Sequence, residues 1–362
     1  MQVVSIWFNA TEYQGLLMAR TKKVNPTLED VAAYSGVSIA TVHRVITASG
    51  AVNGELEQRV KTAIQKLGFK PKRSKARVKP PAIVLIAPEF LNPANTTVIA
   101  GAQEEAEKLD VRLVILPVGD QPESRKQNLT LLKQLPVDGI ILFHLRIEPD
   151  EVRKLCSRDT PPPIVQIGRV LESPSVHCID TDRTGGMYQA TQYLLSLNHK
   201  DIAYISGPLE REYSQSRLRG IERALTEAGL TLHSDFHPWC FPTIEDGFQA
   251  ASSLLRLPSG KRPTAILAFN DLMAIGTLHA VRTCGLTVPD DISVVGFDNI
   301  AITAHTNPPL TTVAQSKYQM GQMAVQKLFR SVRGYDTGRG GFTLLECPLV
   351  VRESTGPCPQ KP

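Results

Sequence analysis

Beyond residue 81 the chain alternates short apolar runs with segments of helical periodicity, and no other feature narrows its fold so far. The runs are Ile83–Ala87, Val111–Pro117, Gly139–Phe143, Ile164–Ile167, Ile202–Ile205, Ala265–Phe269 and Ile292–Phe297. Helical patterns follow the first two, through about Leu109 and to Leu135. A strand that is apolar throughout, rather than at every second residue, has both faces covered, and parallel sheets flanked by helices provide that cover. There are too many such strands for one modest sheet, so the sequence predicts two α/β lobes. Ligands of such sheets bind outside the carboxyl ends of the strands, which places functional residues just after these runs.

The region before residue 81 reads differently. Thr27-Leu-Glu-Asp30 has the form of a capping box, and Leu28, Val31 and Ala32 recur at helical spacing until Gly36. Ser38 caps a second short helix, Ile39 to about Ile46, with Val42, Val45 and Ile46 facing inward. Two short helices joined by Ser35-Gly36-Val37 form a helix-turn-helix unit. A third helix, capped by Asn53 and stopped at Gly68, buries Val60, Ala63, Ile64 and Leu67. Then comes a linker, Lys70 to Lys79, with six cations in ten positions, bracketed by Pro71 and Pro80-Pro81.

Charge follows the same division. Residues 1 to 80 hold 13 Lys and Arg against 5 Asp and Glu, whereas the remainder holds 27 against 30. A basic head on a slightly acidic body implies one module for a polyanion and another for a different partner. No stretch approaches the roughly 20 apolar residues of a membrane-spanning helix, and residues 1–17 lack the pattern of a secretion signal. The cysteines at 156, 178, 240, 284, 347 and 358 form no CxxC pair, so the reading expects a cytoplasmic protein with no metal site and no cofactor. The first strand is followed by Pro88-Glu-Phe-Leu-Asn92 rather than a Gly-rich phosphate loop, and no nucleophile and base stand in a recognisable arrangement, so no catalytic residue is assigned.

Several collinear stretches over residues 20 to 355 carry a resemblance: Thr27 to Ile46 at the head, Asn270-Asp-Leu-Met-Ala-Ile-Gly276, Val288-Pro-Asp-Asp-Ile-Ser-Val-Val-Gly-Phe-Asp298, Pro309-Leu-Thr-Thr-Val313 and Leu349-Val-Val-Arg-Glu-Ser-Thr355. On these the chain resembles the lac repressor (LacI/GalR) family of bacterial transcription regulators. The resemblance implies an all-α helix-turn-helix head joined by a hinge to a two-lobed, periplasmic-binding-protein-like α/β body. It divides the chain into a disordered leader (1–19), a DNA-binding domain (20–69), a hinge (70–80), an effector-binding and dimerisation body (81–355) and a tail (356–362). Crossings between the lobes fall near 197–200, 310–314 and 344. The implied partners are a pseudo-palindromic double-stranded operator, a second copy of the chain and a small-molecule effector, commonly a sugar or sugar derivative. With no leucine heptads after Arg352, a homodimer is expected rather than a tetramer.

In the head, the first turn of a helix in the major groove reaches the base edges, which puts Ile39, Ala40, His43 and Arg44 there. Arg44 is the leading base reader, because a guanidinium pairs bidentately with guanine. Ile39 and Ala40 suit thymine methyls, and His43, standing where the family usually has a small Ser, suits a base or a phosphate equally. Thr27, Ser38 and Thr41 are placed for phosphates, with helix capping as the alternative. Lys72, Arg73, Lys75, Arg77 and Val78 are assigned to DNA through the hinge. Family members carry Asn, Ala and Leu where Lys72, Lys75 and Val78 stand, so the reading expects a hinge that folds on DNA and adds sequence-neutral, salt-sensitive affinity.

In the body, the matched positions assign Asp182, Arg217, Asn270 and Asp298 to the effector, with Arg169 and Phe241 as weaker candidates. For Asn270 a cap on the helix after it, and for Asp182 a turn, are the alternatives to ligand contact, which the reading favours. Ala94 and Asn95 stand where many members have an aromatic pair, which opens the ligand to acids and phosphorylated compounds as well as sugars. The resulting expectation is a transcriptional repressor, not an enzyme, with operator affinity controlled by the effector. The alternatives are a small-molecule-binding protein without DNA control and an architectural DNA binder without ligand gating.

Overall fold

The computed structural model describes residues 26–47, 53–69, 80–88, 92–118, 130–135, 137–143, 161–171, 176–336 and 340–360. The leader 1–19 and the hinge assignments Lys72, Arg73, Lys75, Arg77 and Val78 lie outside them. The chain divides into a head, within residues 1–74, and a body that follows it.

The head consists of α1 (Leu28–Ser35), α2 (Ile39–Thr47) and α3 (Gly54–Leu67). Thr27 and Asp30 form the full reciprocal capping box, and Asn53 accepts from the Glu55 amide at 3.0 Å. Gly36, at φ 67°, ends α1 in the left-handed conformation that glycine adopts without strain. Leu28, Val31, Ala32, Val42, Val60 and Ala63 form the buried core. Arg59 of α3 donates to the Ser35 carbonyl at 2.7 Å, tying the third helix to the turn between the first two.

The first lobe of the body contains a six-stranded parallel sheet ordered β10-β5-β4-β3-β1-β2. Its strands are β1 (Ala82–Ala87), β2 (Arg112–Pro117), β3 (Gly139–Phe143), β4 (Ile164–Ile167), β5 (Val176–Thr181) and β10 (Gly341–Leu345). The reason for the continuous apolar runs is visible in β1 and β3. Ile83, Leu85, Ile141 and Phe143 enter one buried cluster, while Val84, Ile86, Ile140 and Leu142 enter another on the opposite face. Helices α4 (Pro93–Lys108) and α9 (Lys317–Val332) pack together on the first face. They touch at Gly101 and Gly321, where an added Cβ would lie 2.0 Å from the Tyr318 and Val98 carbonyl oxygens respectively.

The second lobe has a five-stranded sheet ordered β11-β9-β8-β7-β6, parallel except for β11. These strands are β6 (Ile202–Ile205), β7 (Ala265–Ala268), β8 (Ser293–Asp298), β9 (Thr311–Ala314) and β11 (Leu349–Val350). Around them lie α5 (Arg183–Ser196), α6 (Glu212–Glu227), α7 (Ile244–Leu255) and α8 (Asp271–Thr283). Met187, Ala190 and Leu194 of α5 belong to this lobe's core. The chain therefore first crosses at Thr181–Arg183, well before the 197–200 expected from the sequence. It crosses again between β9 and α9, just after 310–314, and finally between β10 and β11, just after 344. The tail assignment is also corrected, because Gly356 accepts from His199 at 3.0 Å and Cys358 N–H donates to Leu197 at 2.8 Å. Residues 356–358 thus belong to the body. Of the helix expected to run to Leu135, the described residues show a single 3₁₀ turn, Leu131–Lys133.

Candidate functional site

In the head, α2 carries the residues assigned to DNA, and burial separates them. Val42 is fully buried, whereas Ala40 and Arg44 are exposed. His43 is half-buried. Ile39 is half-buried and packs against the head core, so its apolar surface is spent at least partly on folding. Ser38 caps α2 by accepting from the Thr41 amide at 3.2 Å, and the Ser38 and Thr41 hydroxyls bond each other at 2.9 Å. Thr27 is engaged with Asp30 through both backbone and side chain. Capping therefore accounts for these three hydroxyl groups without a phosphate. The amino end of α2 remains a place where exposed amides favour an anion.

In the body, the carboxyl ends of β4 and β5 face the amino end of α6 across a groove of 970 Å³. Arg169 and Asp182 line it, with Thr181, Tyr213 and Ser216. Asp182 also caps α5, accepting from the Gly185 amide at 2.8 Å, so the turn role and the groove position hold together. Deeper in, Arg183 forms a bidentate ion pair with Asp180, at 3.0 and 2.5 Å.

The groove leads through a hydrogen-bond relay to a buried charge cluster. The Thr181 hydroxyl donates to Gln315 Oε1 at 3.1 Å, and Gln315 Nε2 donates to Asp298 Oδ1 at 2.5 Å. The same Oδ1 accepts from Lys317 Nζ at 3.1 Å and lies 3.8 Å from an Arg217 nitrogen. Arg217 is 4% exposed and Lys317 6%. Lys317 opens α9 in the first lobe, while Asp298 ends β8 in the second, so this buried ion pair bridges the lobes. Asp298 holds φ at 126°, a region that side chains other than glycine's rarely adopt, and strain of this kind persists where the surroundings enforce it.

The Arg217 guanidinium is sandwiched between the Phe269 and Phe297 rings, 4.1 Å from each centroid. Burial pulls the Arg217 and Lys317 pKa values below their ordinary ranges, and Asp298 works against that in both. Asp271, fully buried beneath the cluster, accepts from Thr312 Oγ1 at 2.5 Å and from the Ile300 amide at 2.8 Å. Burial, and then the neighbouring Asp298, push its carboxyl up to about 7.

Asn270 is buried at 1% exposure, caps α8 through the Met273 amide at 3.0 Å and donates to the Pro242 carbonyl at 3.5 Å, so the capping role open to it in the sequence is filled. Phe241 is 63% exposed and stands edge-on to Trp239 at 6.1 Å, in the loop after the Pro238 carbonyl that accepts from the Ser206 amide at the end of β6. Sequence reasoning did not single out Lys317 and Gln315 of the buried cluster. Gln315 and Lys317 sit at a lobe crossing, and knowing that position is the signal that would have found them. Among the described residues, no group of three or more His, Cys, Asp or Glu side chains is placed to hold a metal ion.

Two family profiles match the chain: bacterial regulatory proteins, lacI family, over residues 27–72, and the periplasmic binding protein-like domain over residues 191–355. The HTH-type transcriptional repressor CytR of Escherichia coli K12 is 31% identical over 348 residues, covering 95% of this chain and all of that protein. The chain belongs to the lacI family of bacterial regulatory proteins. A PurR repressor from Histophilus somni is 34% identical, with 91% of this chain and 98% of that protein covered. Among solved structures, a CelR–cellobiose complex shares 31% identity at a TM-score of 0.67, covering 91% of this chain and all of that one. The lac repressor dimer bound to operator and the anti-inducer ONPF shares 28% at the same TM-score, over 92% and 100%. As a lacI-family member the chain is a DNA-binding transcriptional regulator, and its relatives are repressors rather than enzymes.

Proposed function

We propose that this protein is a cytoplasmic, dimeric repressor whose operator affinity is set by a small polyhydroxylated effector held between the lobes. The observation that carries the proposal is the buried Lys317–Asp298 pair, which joins the lobes at 3.1 Å beside Arg217 and is reached from the groove through Thr181 and Gln315. A ligand that bonds these groups changes how the lobes are held, and an equilibrium between two arrangements moves only by such differential contacts. Similarity to CelR in complex with cellobiose supports a sugar-like ligand, and similarity to the operator-bound lac repressor dimer supports a paired head on DNA. In this reading Arg44 and Ala40, with His43 beside them, face the bases, and Ser38 and Thr41 serve the helix end next to the phosphates. Arg217 and Asp298 hold the effector, Asp182 and Arg169 border it, and Asn270 shapes the loop that carries Phe241.

The test is selection of bound duplexes from a randomised pool by the full-length protein. A pseudo-palindromic consensus of two half-sites is expected. Retention of DNA with no sequence preference would replace this reading with an architectural one. Steep weakening of operator binding with salt is expected from the six cations at 70–79.

A further inference from the structure

The cluster around Arg217 holds more donors than its surroundings can accept. Among the described residues, Arg217 Nε and Nη1 are buried without an acceptor, and so are the Ser214 hydroxyl, one turn earlier on α6, and the hydroxyl of Tyr204 on β6. His237 Nε2, on a ring stacked 5.4 Å from Tyr204, is buried in the same condition. Asp298 does not serve them: its Oδ1 takes Gln315 and Lys317, and among the described residues these atoms have no hydrogen-bond partner. A buried polar group left without a partner is costly, so a concentration of them in one place marks where a ligand's acceptors belong.

Charge narrows that ligand. Arg217 and Lys317 are two buried cations that share the single carboxylate of Asp298. Arg183 and Asp180 neutralise each other in their own bidentate pair. Asp271 is committed to Thr312 and Ile300, and with its carboxyl at about 7 it supplies only part of a negative charge at neutral pH. The buried cluster of Arg217, Lys317, Asp298 and Asp271 therefore lacks up to one negative charge, while the charged residues that line the groove outside it balance, Arg169, Arg183, Arg211 and Arg219 against Asp180, Asp182, Glu210 and Glu212. A single carboxylate on the ligand makes up that deficit, whereas a phosphate dianion overshoots it and a neutral sugar or nucleoside leaves it standing.

We infer that the effector is a hydroxylated monocarboxylate of the sugar-acid kind, and that Lys317, together with Arg217, selects for its charge. The inference rests on the effector site proposed above and specifies its ligand. The carboxylate lies against Lys317 and Arg217, and the hydroxyls meet Ser214, Tyr204 and His237.

The experiment is isothermal titration of the full-length protein with D-gluconate, D-galactonate, D-glucuronate, D-glucose, D-galactose, cellobiose, D-glucose 6-phosphate and adenosine. At least one monocarboxylate is expected to bind tenfold or more tightly than its neutral counterpart. In Lys317→Met the ratio of the neutral to the carboxylate Kd falls towards one, and in Lys317→Arg, which keeps the charge, it is retained. Circular dichroism melts confirm that each variant is folded, and the ratio within one variant does not respond to a uniform loss of stability. Tightest binding of a neutral sugar, adenosine or the phosphate dianion overturns the sugar-acid inference and leaves the effector-gated reading standing. A ratio unchanged in Lys317→Met overturns the role of Lys317. If no probe binds while operator binding persists, both the inference and the effector-gated reading fall.

Discussion

The head and the interlobe cluster present their functional groups in opposite ways. In the head, Ala40 and Arg44 lie on an exposed helix face, and the hydroxyls of Thr27, Ser38 and Thr41 are satisfied within the domain by capping. In the cluster, Arg217, Lys317 and Asp298 are buried, and several donors have no acceptor among the described residues. A surface that meets a hydrated polyanion stays solvated until its partner arrives. A cleft that encloses a small molecule holds its polar groups ready and unsatisfied. Substitutions in the head are thus expected to change DNA binding more than folding, and those in the cluster to change both ligand binding and stability.

The largest effect that tests this contrast is expected from Asp298→Ala. It removes the carboxylate that pairs with buried Lys317 and Arg217, and breaking such a pair destabilises a protein by about 3–5 kcal/mol. Urea unfolding of the body measures it, and a loss under about 1 kcal/mol would show that the cluster is better solvated than its burial implies.

A second effect concerns Asp271, whose folded carboxyl, near 7, lies above its unfolded value. The folded state then binds the proton more tightly, so the stabilisation is present at acid pH and disappears as pH rises through about 7. Between pH 5 and 8 the wild type is expected to lose about 2 kcal/mol relative to Asp271→Asn. Parallel stability curves for the two proteins would show that the buried carboxyl holds no proton in this range.

For the head, Arg44→Ala is expected to weaken operator binding by about 1–3 kcal/mol and to relax preference at one base pair. Its melting temperature should stay unchanged, and a fall in stability would show that Arg44 supports the fold. The smallest change, Thr27→Ala, removes the capping box and should cost the head about 1 kcal/mol of stability. Because Thr27 is placed as a cap first, DNA affinity should fall less than in Arg44→Ala.

Legibility in the sequence follows the same division between surface and interior. The head helices begin and end where Thr27, Gly36, Asn53 and Gly68 indicate, because caps are local chemistry. The apolar runs of β1, β3, β4, β6, β7 and β8 are readable because both faces of each are buried. Strands β5, β9 and β10 are not, since Val176-His-Cys-Ile-Asp-Thr181 and Thr311-Thr-Val-Ala314 mix polar residues into buried positions. Strand β10 is an edge that exposes Phe342 and Leu344. The first lobe crossing escapes the sequence because α5 shows no break at its start, and only its packing on α6 and the second core assigns it. Arg217 and Asp298 are found by resemblance. Lys317 stays hidden because a lysine at the start of a helix ordinarily points into solvent, and its burial comes from tertiary packing that no local pattern reports.

If one molecule couples a ligand cleft to a DNA-reading head, the coupling is reciprocal. The decisive measurement is the Kd of the tightest-binding probe, titrated into the protein alone and into the protein saturated with its selected operator. The two values are expected to differ by about 5- to 150-fold, and the same factor should appear when operator affinity is measured with and without the probe. Equal values would mean that the cleft and the head act independently, and would contradict ligand control of DNA binding.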